Sequence, residues 1–125
     1  MALLFAAVAM AGQWGAGWTI PQGAEARQNP KPVTPAMLKQ GRSIFERSCQ
    51  KCHGPQGKGD GPDSDPRSPA ADLTDAFRAE LNPEGVMFYR VMNGKPPAMP
   101  SFKSQLSADE VWAVVAYARS LRKAP

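Results

Sequence analysis

Two cysteines and one histidine stand together near the middle of the chain and are its most reactive side chains. Cys49, Cys52 and His53 form the pattern C-x-x-C-H, and the 125 residues contain no other cysteine or histidine. Two thiols three positions apart can each add to a vinyl group of one porphyrin. The adjacent histidine then lies beside the iron as an axial ligand. The pattern predicts covalent attachment of one haem c.

Three other interpretations of this motif are weaker. A thioredoxin-like site needs C-x-x-C after a strand in a βαβ unit, whereas this motif follows a helical pattern and precedes a Gly- and Pro-rich loop. A structural zinc site needs four Cys or His ligands, and three such close residues cannot complete a tetrahedron alone. A disulfide between Cys49 and Cys52 would be strained and would leave His53 unexplained.

The N-terminus differs in composition from the rest of the chain. Residues Ala2 to Ala11 are uninterruptedly apolar, and Ala9-Met10-Ala11 has the form of a signal-peptidase site, although no Lys or Arg precedes the run. Extended to Ile20, the stretch reaches the roughly twenty residues that a membrane span needs. We therefore expect a signal peptide or a membrane anchor over residues 1–20.

The remainder is expected to comprise a linker over residues 21–33 and one folded domain over residues 34–125. Thirteen prolines and eleven glycines are many for a chain of this size, and they indicate short helices joined by long ordered loops. A chain this small builds only a modest core of its own. A buried haem would add apolar mass to that core.

Capping residues predict the first and last helices. Thr34 as N-cap, followed by Pro35, opens a helix that runs to Cys49 and has an apolar face with a notch at Gly41. A capping box, Ser107 to Glu110, opens the last helix. Arginines in the last turns of that helix suit the negative end of its dipole.

The region between these helices is predicted to hold shorter ones. Asn82-Pro83-Glu84 begins a middle helix that Asn93-Gly94 ends. Asp72 or Thr74 is expected to cap a further short turn toward Phe77. No stretch shows the alternation of a strand, so the fold class is predicted to be all-α, with about three to five short helices.

Five pieces of the chain follow one another in a characteristic order. They are Gly41-x-x-x-Phe45, the motif at 49–55, the Gly-rich run 57–61, Ala98-Met99-Pro100-Ser101-Phe102, and residues 112–121. In this order they resemble class I cytochromes c of the bacterial type, over Thr34 to Leu121. The resemblance implies that the first and last helices cross closely, with Gly41 and Phe45 against Val114 and Tyr117. It also implies an axial methionine in a Met-Pro loop.

The second axial position of the iron has several candidate occupants. Because His53 is the only histidine, bis-histidine ligation within one chain is excluded, which leaves a methionine, an open position or a partner. Prolines surround Met99 and stiffen its loop, which lowers the entropy lost when a thioether is held against iron. We predict Met99 as the ligand, with Met92 in reserve and Met87 a core residue.

Ligation decides which functions are compatible with the sequence. An iron with His53 and Met99 on its two faces has no position for substrate and transfers one electron, as a soluble shuttle or as a cytochrome c subunit of a respiratory or dehydrogenase complex. With an open sixth position, the chain would instead be a haem enzyme or a gas-binding protein. Attachment of haem c favours a periplasmic or other extracytoplasmic location.

Charge adds an expectation about partners. The chain carries a net charge of +4, which belongs to the residues from Gln28 onward. Lys51, Lys58 and Lys95 are near the predicted haem, and they would steer docking to an acidic patch on a redox protein or a membrane-bound respiratory complex, unless they are ordinary solvated lysines. The basic residues are dispersed and no aromatic residues interleave them, so we expect no nucleic-acid partner.

Overall fold

The fold of the chain is all-α, as the sequence predicted. A computed structural model describes residues 18–122, and within that range no strand forms, the only extended pairings being isolated bridges at Asp65–Ser68 and Lys95–Met99. Five α-helices follow a single 3₁₀ turn, Ala24–Ala26. They are α1 (Pro35–Ser48), α2 (Gln50–His53), α3 (Ala76–Glu80), α4 (Glu84–Asn93) and α5 (Ala108–Ser120).

The expected signal peptide or anchor falls mainly outside the residues that the structure describes. Of residues 1–20, only the last three lie within the described range. Across residues 18–122, no helix is both long and apolar enough to cross a membrane. Membrane attachment through the N-terminal segment therefore stays a prediction.

The caps of α1 and α5 are those that the sequence predicted. The Thr34 hydroxyl accepts a hydrogen bond from the Met37 amide, 3.1 Å away, at the start of α1. At the start of α5, Ser107 Oγ accepts from the Glu110 amide and Glu110 Oε1 accepts from the Ser107 amide. Each cap satisfies amides that have no partner inside the helix, which fixes where these two helices begin.

Helices α1 and α5 form the most extensive contact between elements. A Cβ atom at Gly41 would lie only 2.8 Å from Tyr117 Cβ and would collide with the Ala113 carbonyl group. The absence of a side chain at Gly41 therefore lets the two backbones approach. Beside this crossing, the rings of Phe45 and Tyr117 pack edge to face with centroids 5.4 Å apart. The contacts of Gly41 and Phe45 with Tyr117 agree with the crossing that the resemblance implied, and the Ala113 carbonyl is a further neighbour of Gly41.

Helix α4 packs against α5 through a pair of aromatic rings. Phe88 and Trp112 are each only 3% exposed, and their rings stack with centroids 4.2 Å apart. Both belong to one hydrophobic core that also takes in Phe45 of α1 and Phe102 of the loop before α5. Trp112 is therefore a core residue.

The short helix α3 begins at a residue that the sequence analysis did not select. Asp75 caps it, because its Oδ1 accepts from the amides of Phe77 and Arg78. Asp72 instead accepts from the amide and hydroxyl of Thr74. Three closely spaced Asp and Thr residues can all serve as caps, and side-chain geometry selects among them.

The residues expected to form a linker lie partly against the helices. The 3₁₀ turn contacts α4, and the guanidinium group of Arg27 lies 4.3 Å from the centroid of the Phe88 ring. Further along, the Asn29 amide donates to Glu84 Oε1, and Lys31 pairs with Asp109 of α5 at 2.8 Å. These contacts join distant parts of the sequence, so composition alone gives no sign of them.

Candidate haem-binding site

The C-x-x-C-H motif occupies a single helical turn directly after α1. Cys49 ends α1, and its carbonyl accepts hydrogen bonds from the amides of Cys52 and His53, at 3.2 and 2.9 Å. The turn places both thiols and the imidazole on one short element. Neither cysteine forms a disulfide, and both side chains are partly exposed. This arrangement fits attachment of one porphyrin through two thioether bonds.

The imidazole of His53 is oriented by a backbone carbonyl. His53 Nδ1 lies 3.0 Å from the carbonyl oxygen of Ala71. A carbonyl only accepts, so Nδ1 carries the hydrogen and Nε2 keeps its lone pair. A histidine ligand commonly donates its other ring N–H in this way, which fixes both ring direction and tautomer. Nε2 of His53 is thereby available for an iron ion.

Burial shapes the protonation of the site. Desolvation lowers the pKa of His53, opposed by the hydrogen bond to Ala71, so the ring is neutral and able to ligate at pH 7. Burial raises the pKa of the Cys49 thiol to about 12, with a smaller contribution from Cys52. A reactive redox cysteine needs a lowered pKa. The raised value therefore argues against the thioredoxin-like interpretation.

The loop that follows the motif is bonded back onto it. The amides of Gly59, Gly61 and Asp63 donate to the carbonyls of His53, Cys52 and Lys51, at 2.8, 3.0 and 2.8 Å. These bonds satisfy carbonyl groups at the end of α2 that have no partner within so short a helix. The Gly-rich run thus serves as a backbone support for the cysteines and the histidine.

Ala71 is held in place from the same loop. The amide of Leu73 donates to the Gly57 carbonyl at 2.6 Å, and the amide of Ala70 donates to Ser64 Oγ at 3.0 Å. Both bonds flank Ala71 in sequence and fix the direction of its carbonyl toward His53. The sequence analysis did not find Ala71, because any residue type can supply a backbone carbonyl.

The loop that carries Met99 is closed on itself. Lys95 and Met99 exchange two backbone hydrogen bonds, 2.8 and 3.1 Å long, around Pro96, Pro97 and Ala98. The peptide bond between Pro96 and Pro97 is cis. A hairpin with two prolines inside it has few other conformations to lose. The proline content predicted a stiff loop, and the two hydrogen bonds between Lys95 and Met99 restrain it further.

The Met99 loop is also fixed to the end of α4. Ser101 Oγ donates to the Met92 carbonyl at 2.7 Å, and the amide of Phe102 donates to the Val91 carbonyl at 3.1 Å. Met99 packs against the same hydrophobic core as Cys49, as do Met92 and Leu73. The structure therefore brings Met99 and the attachment motif to one core, and Met92 lies at it too. Ligation of iron by Met99 stays a prediction.

Two arginines at the end of α5 have partners that the sequence analysis did not predict. Nη1 of Arg119 and Nη2 of Arg122 both donate to the carbonyl of Asn82, at 3.1 and 2.9 Å. Burial and the neighbouring Arg119 lower the pKa of Arg122 to about 10, so its guanidinium group stays charged at neutral pH. These side chains join the end of α5 to the segment before α4.

A short all-α fold, a half-buried C-x-x-C-H turn and an imidazole oriented by a carbonyl together define the class of small c-type cytochromes. The family model that matches residues 36–117 is described as cytochrome c oxidase, cbb3-type, subunit III. Because that match covers most of the chain, the protein belongs to this cytochrome c family. Cys49 and Cys52 fit covalent attachment of haem c, which is typical of the family.

Two curated relatives are similar over most of the chain. The cytochrome c subunit of the cytochrome bc1 complex of Corynebacterium diphtheriae is 32% identical over 94 residues, 74% of this chain and 30% of its own length. The FixP subunit of the cbb3-type cytochrome c oxidase of Bradyrhizobium sp. is 30% identical over 81 residues, 65% of this chain and 26% of its own length. The chain thus spans less than a third of either relative.

A solved structure supports the fold. Cytochrome cL of Methylophaga aminisulfidivorans matches with a TM-score of 0.58 and 23% identity, over 74% of this chain and 60% of that protein. At this level of identity the likeness concerns the fold alone. It agrees with the helix order found here.

Proposed function

We propose that this protein transfers single electrons through one haem c, attached at Cys49 and Cys52 and ligated by His53 and Met99. The observation that carries the proposal is the hydrogen bond from His53 Nδ1 to Ala71, because it orients Nε2 as a ligand. When bound, the haem supplies an iron that cycles between two oxidation states. The protein orients one ligand, shields the group and holds the second ligand.

Met99 is supported as the second ligand by its loop. The two hydrogen bonds with Lys95 and the two to the end of α4 hold the loop in one conformation, so little entropy is lost on ligation. Met92 lies within α4, where a methionine more commonly fills space in the core. An iron whose two axial positions are both occupied by side chains has no position for a substrate. It therefore exchanges electrons and does not catalyse reactions of a bound molecule.

We expect the partners to be redox proteins, and the names of the relatives suggest which complexes these belong to. By name, one curated relative is the cytochrome c subunit of a cytochrome bc1 complex and the other is a subunit of a cbb3-type cytochrome c oxidase. We therefore propose either membership of a complex of this kind or electron exchange with one. Lys51 and Lys58, beside the attachment site, are exposed and would favour an acidic docking surface. An extracytoplasmic location, free or attached through residues 1–20, completes the proposal.

Optical spectra of the haem-loaded protein and two methionine variants test the proposed ligands. The resemblance to methionine-ligated cytochromes c predicts a weak ferric band near about 700 nm. We expect Met99→Ala to lose this band and to lower the reduction potential, because a neutral thioether favours the ferrous iron. Met92→Ala, the matched control, should keep the band. Loss of the band in Met92→Ala and its retention in Met99→Ala would contradict the assignment.

A further inference from the structure

The segment before α1 has the contacts of a docked element. Residues 18–31 lie outside the part of the chain that the family model matches, which begins at residue 36. The segment contains a 3₁₀ turn, Ala24–Ala26, closed by hydrogen bonds from the Ala26 amide to Gly23 and from the Arg27 amide to Ala24. We refer to residues 18–31 as the strap.

The middle of the strap rests on α4 at Gly85. A Cβ atom at this position would lie 2.9 Å from Arg27 Cβ and would collide with the carbonyl oxygen of Ala24. Gly85 is buried although it lies in the first turn of its helix. A glycine here therefore leaves room for the backbone of the strap, which a larger residue would push away.

Side chains at three further points attach the strap. The guanidinium group of Arg27 lies over the Phe88 ring at 4.3 Å and near the Trp112 ring at 5.8 Å, so it covers the stacked aromatic pair that joins α4 to α5. Asn29 donates to Glu84, and Lys31 pairs with Asp109. The strap thus contacts both α4 and α5.

The strap also makes a contact at its first residue, Trp18. The ring of Trp18 lies under the guanidinium group of Arg90, at 5.0 Å from the centroid, near the end of α4. Contacts with α4 and α5 therefore recur from Trp18 to Lys31.

We propose that residues 18–31 form a docked strap that packs on Gly85 and is held by Arg27 over the rings of Phe88 and Trp112. The strap covers the α4–α5 side of the haem domain and opens as a separate unit. The proposal rests on contacts made by residues other than the predicted iron ligands, and it stands whether or not Met99 ligates the iron.

Limited proteolysis of the haem-loaded full chain tests the strap. A glutamyl endopeptidase should cut after Glu25 slowly, because the 3₁₀ turn must first leave α4. Gly85→Ala should accelerate this cut by more than Arg27→Gln does. For Arg27→Gln we expect about two- to fivefold, the change that an exposed cation–π contact supports. In the double variant the two accelerations should not multiply, since a displaced strap has no contact left to lose.

Two controls separate strap release from general loosening. Lys39→Gln changes an exposed cation on α1 and should leave the rate after Glu25 unchanged. Cleavage after Glu46, within α1, should not accelerate in any of the variants. Fast cleavage after Glu25 in the unmodified protein, unaffected by Gly85→Ala, would overturn the proposal. Equal acceleration after Glu25 and Glu46 would overturn it too, because the strap would then have no separate docked state.

Discussion

His53 shows what the sequence can and cannot reveal about a single side chain. Its place after Cys52 was enough to predict an iron ligand. The tautomer and the direction of its ring depend on the Ala71 carbonyl, 18 positions away in the sequence. Every residue type has a backbone carbonyl, so the sequence does not show which one accepts this hydrogen bond. Burial lowers the pKa of His53, so the imidazole is neutral at pH 7 and need not lose a proton before it ligates iron.

The cysteines carry a prediction about covalent attachment. Because each thiol can form one thioether, single variants Cys49→Ala and Cys52→Ala should each retain haem through the remaining bond. The double variant should release all of its haem on denaturation. Separation of chain and haem by denaturing chromatography with absorbance detection measures this directly.

Ser48→Ala, which changes the residue beside the motif and keeps both thiols, is the matched control and should retain its haem under the same conditions. Haem that stays with the denatured double variant would contradict attachment through this motif.

At the scale of helices, capping residues in the sequence predicted where helices begin, but they predicted less well which helices contact one another. Thr34 and Ser107 cap α1 and α5 because each side chain bonds an amide three residues ahead, which is a purely local interaction. The cap of α3 is Asp75, whereas Asp72 and Thr74 were predicted. All three residue types can cap a helix, so the local sequence did not distinguish between them. Residues 21–33 were expected to form a linker. Their contacts with α4 and α5, such as that of Arg27 with Phe88, join distant parts of the sequence and leave no local signal.

Substitution of Gly41 tests the crossing of α1 and α5. A Cβ atom there would lie 2.7 Å from the Ala113 carbonyl carbon and 2.8 Å from Tyr117 Cβ, and neither neighbour is the flexible end of a side chain. Overpacking of this kind costs about 1–3 kcal/mol. Alanine gains up to about 1 kcal/mol over glycine in a helix. We therefore expect Gly41→Ala to lower the free energy of unfolding, as measured by denaturant titration of the haem-loaded protein.

Gln40→Ala supplies the control for helix propensity. Gln40 is the exposed neighbour of Gly41 on α1, so its substitution alters propensity without affecting the crossing. It should leave the free energy of unfolding nearly unchanged. A Gly41→Ala protein as stable as the unmodified one would show that the helices do not approach as closely as described.

At the scale of the whole molecule, the haem domain could be predicted from the sequence, whereas the packing of residues 18–31 on that domain could not. The order of helix, motif, Gly-rich loop and Met-Pro loop was sufficient to identify the class, and the family match over residues 36–117 confirms it. Single features of the assembled chain were not predictable, such as the convergence of Arg119 and Arg122 on Asn82. Such contacts depend on how α4 and α5 pack in the folded chain, which local sequence does not specify.

Net charge gives a prediction for the encounter with partners. The chain carries +4, and Lys51 and Lys58 are exposed beside the motif. Electron exchange with an acidic redox protein should therefore slow by about tenfold or more as ionic strength rises from low values to about 0.15 M. Stopped-flow measurement of the second-order rate constant checks this.

Charge reversal locates the responsible surface. Lys51→Glu combined with Lys58→Glu should slow the exchange at low ionic strength, whereas Lys39→Glu, on the exposed side of α1, should slow it less. A rate constant that depends neither on salt nor on these lysines would contradict an acidic docking partner.

The most direct test of electron transfer by a fully ligated haem is a redox titration of the unmodified protein, followed by exposure of the ferrous form to carbon monoxide. An electron carrier with His53 and Met99 on the iron should titrate as a single one-electron couple, and its ferrous spectrum should not change on addition of the gas. Rapid binding of carbon monoxide by the unmodified ferrous protein would show an open iron position. It would contradict the carrier function in favour of a haem enzyme or a gas-binding protein.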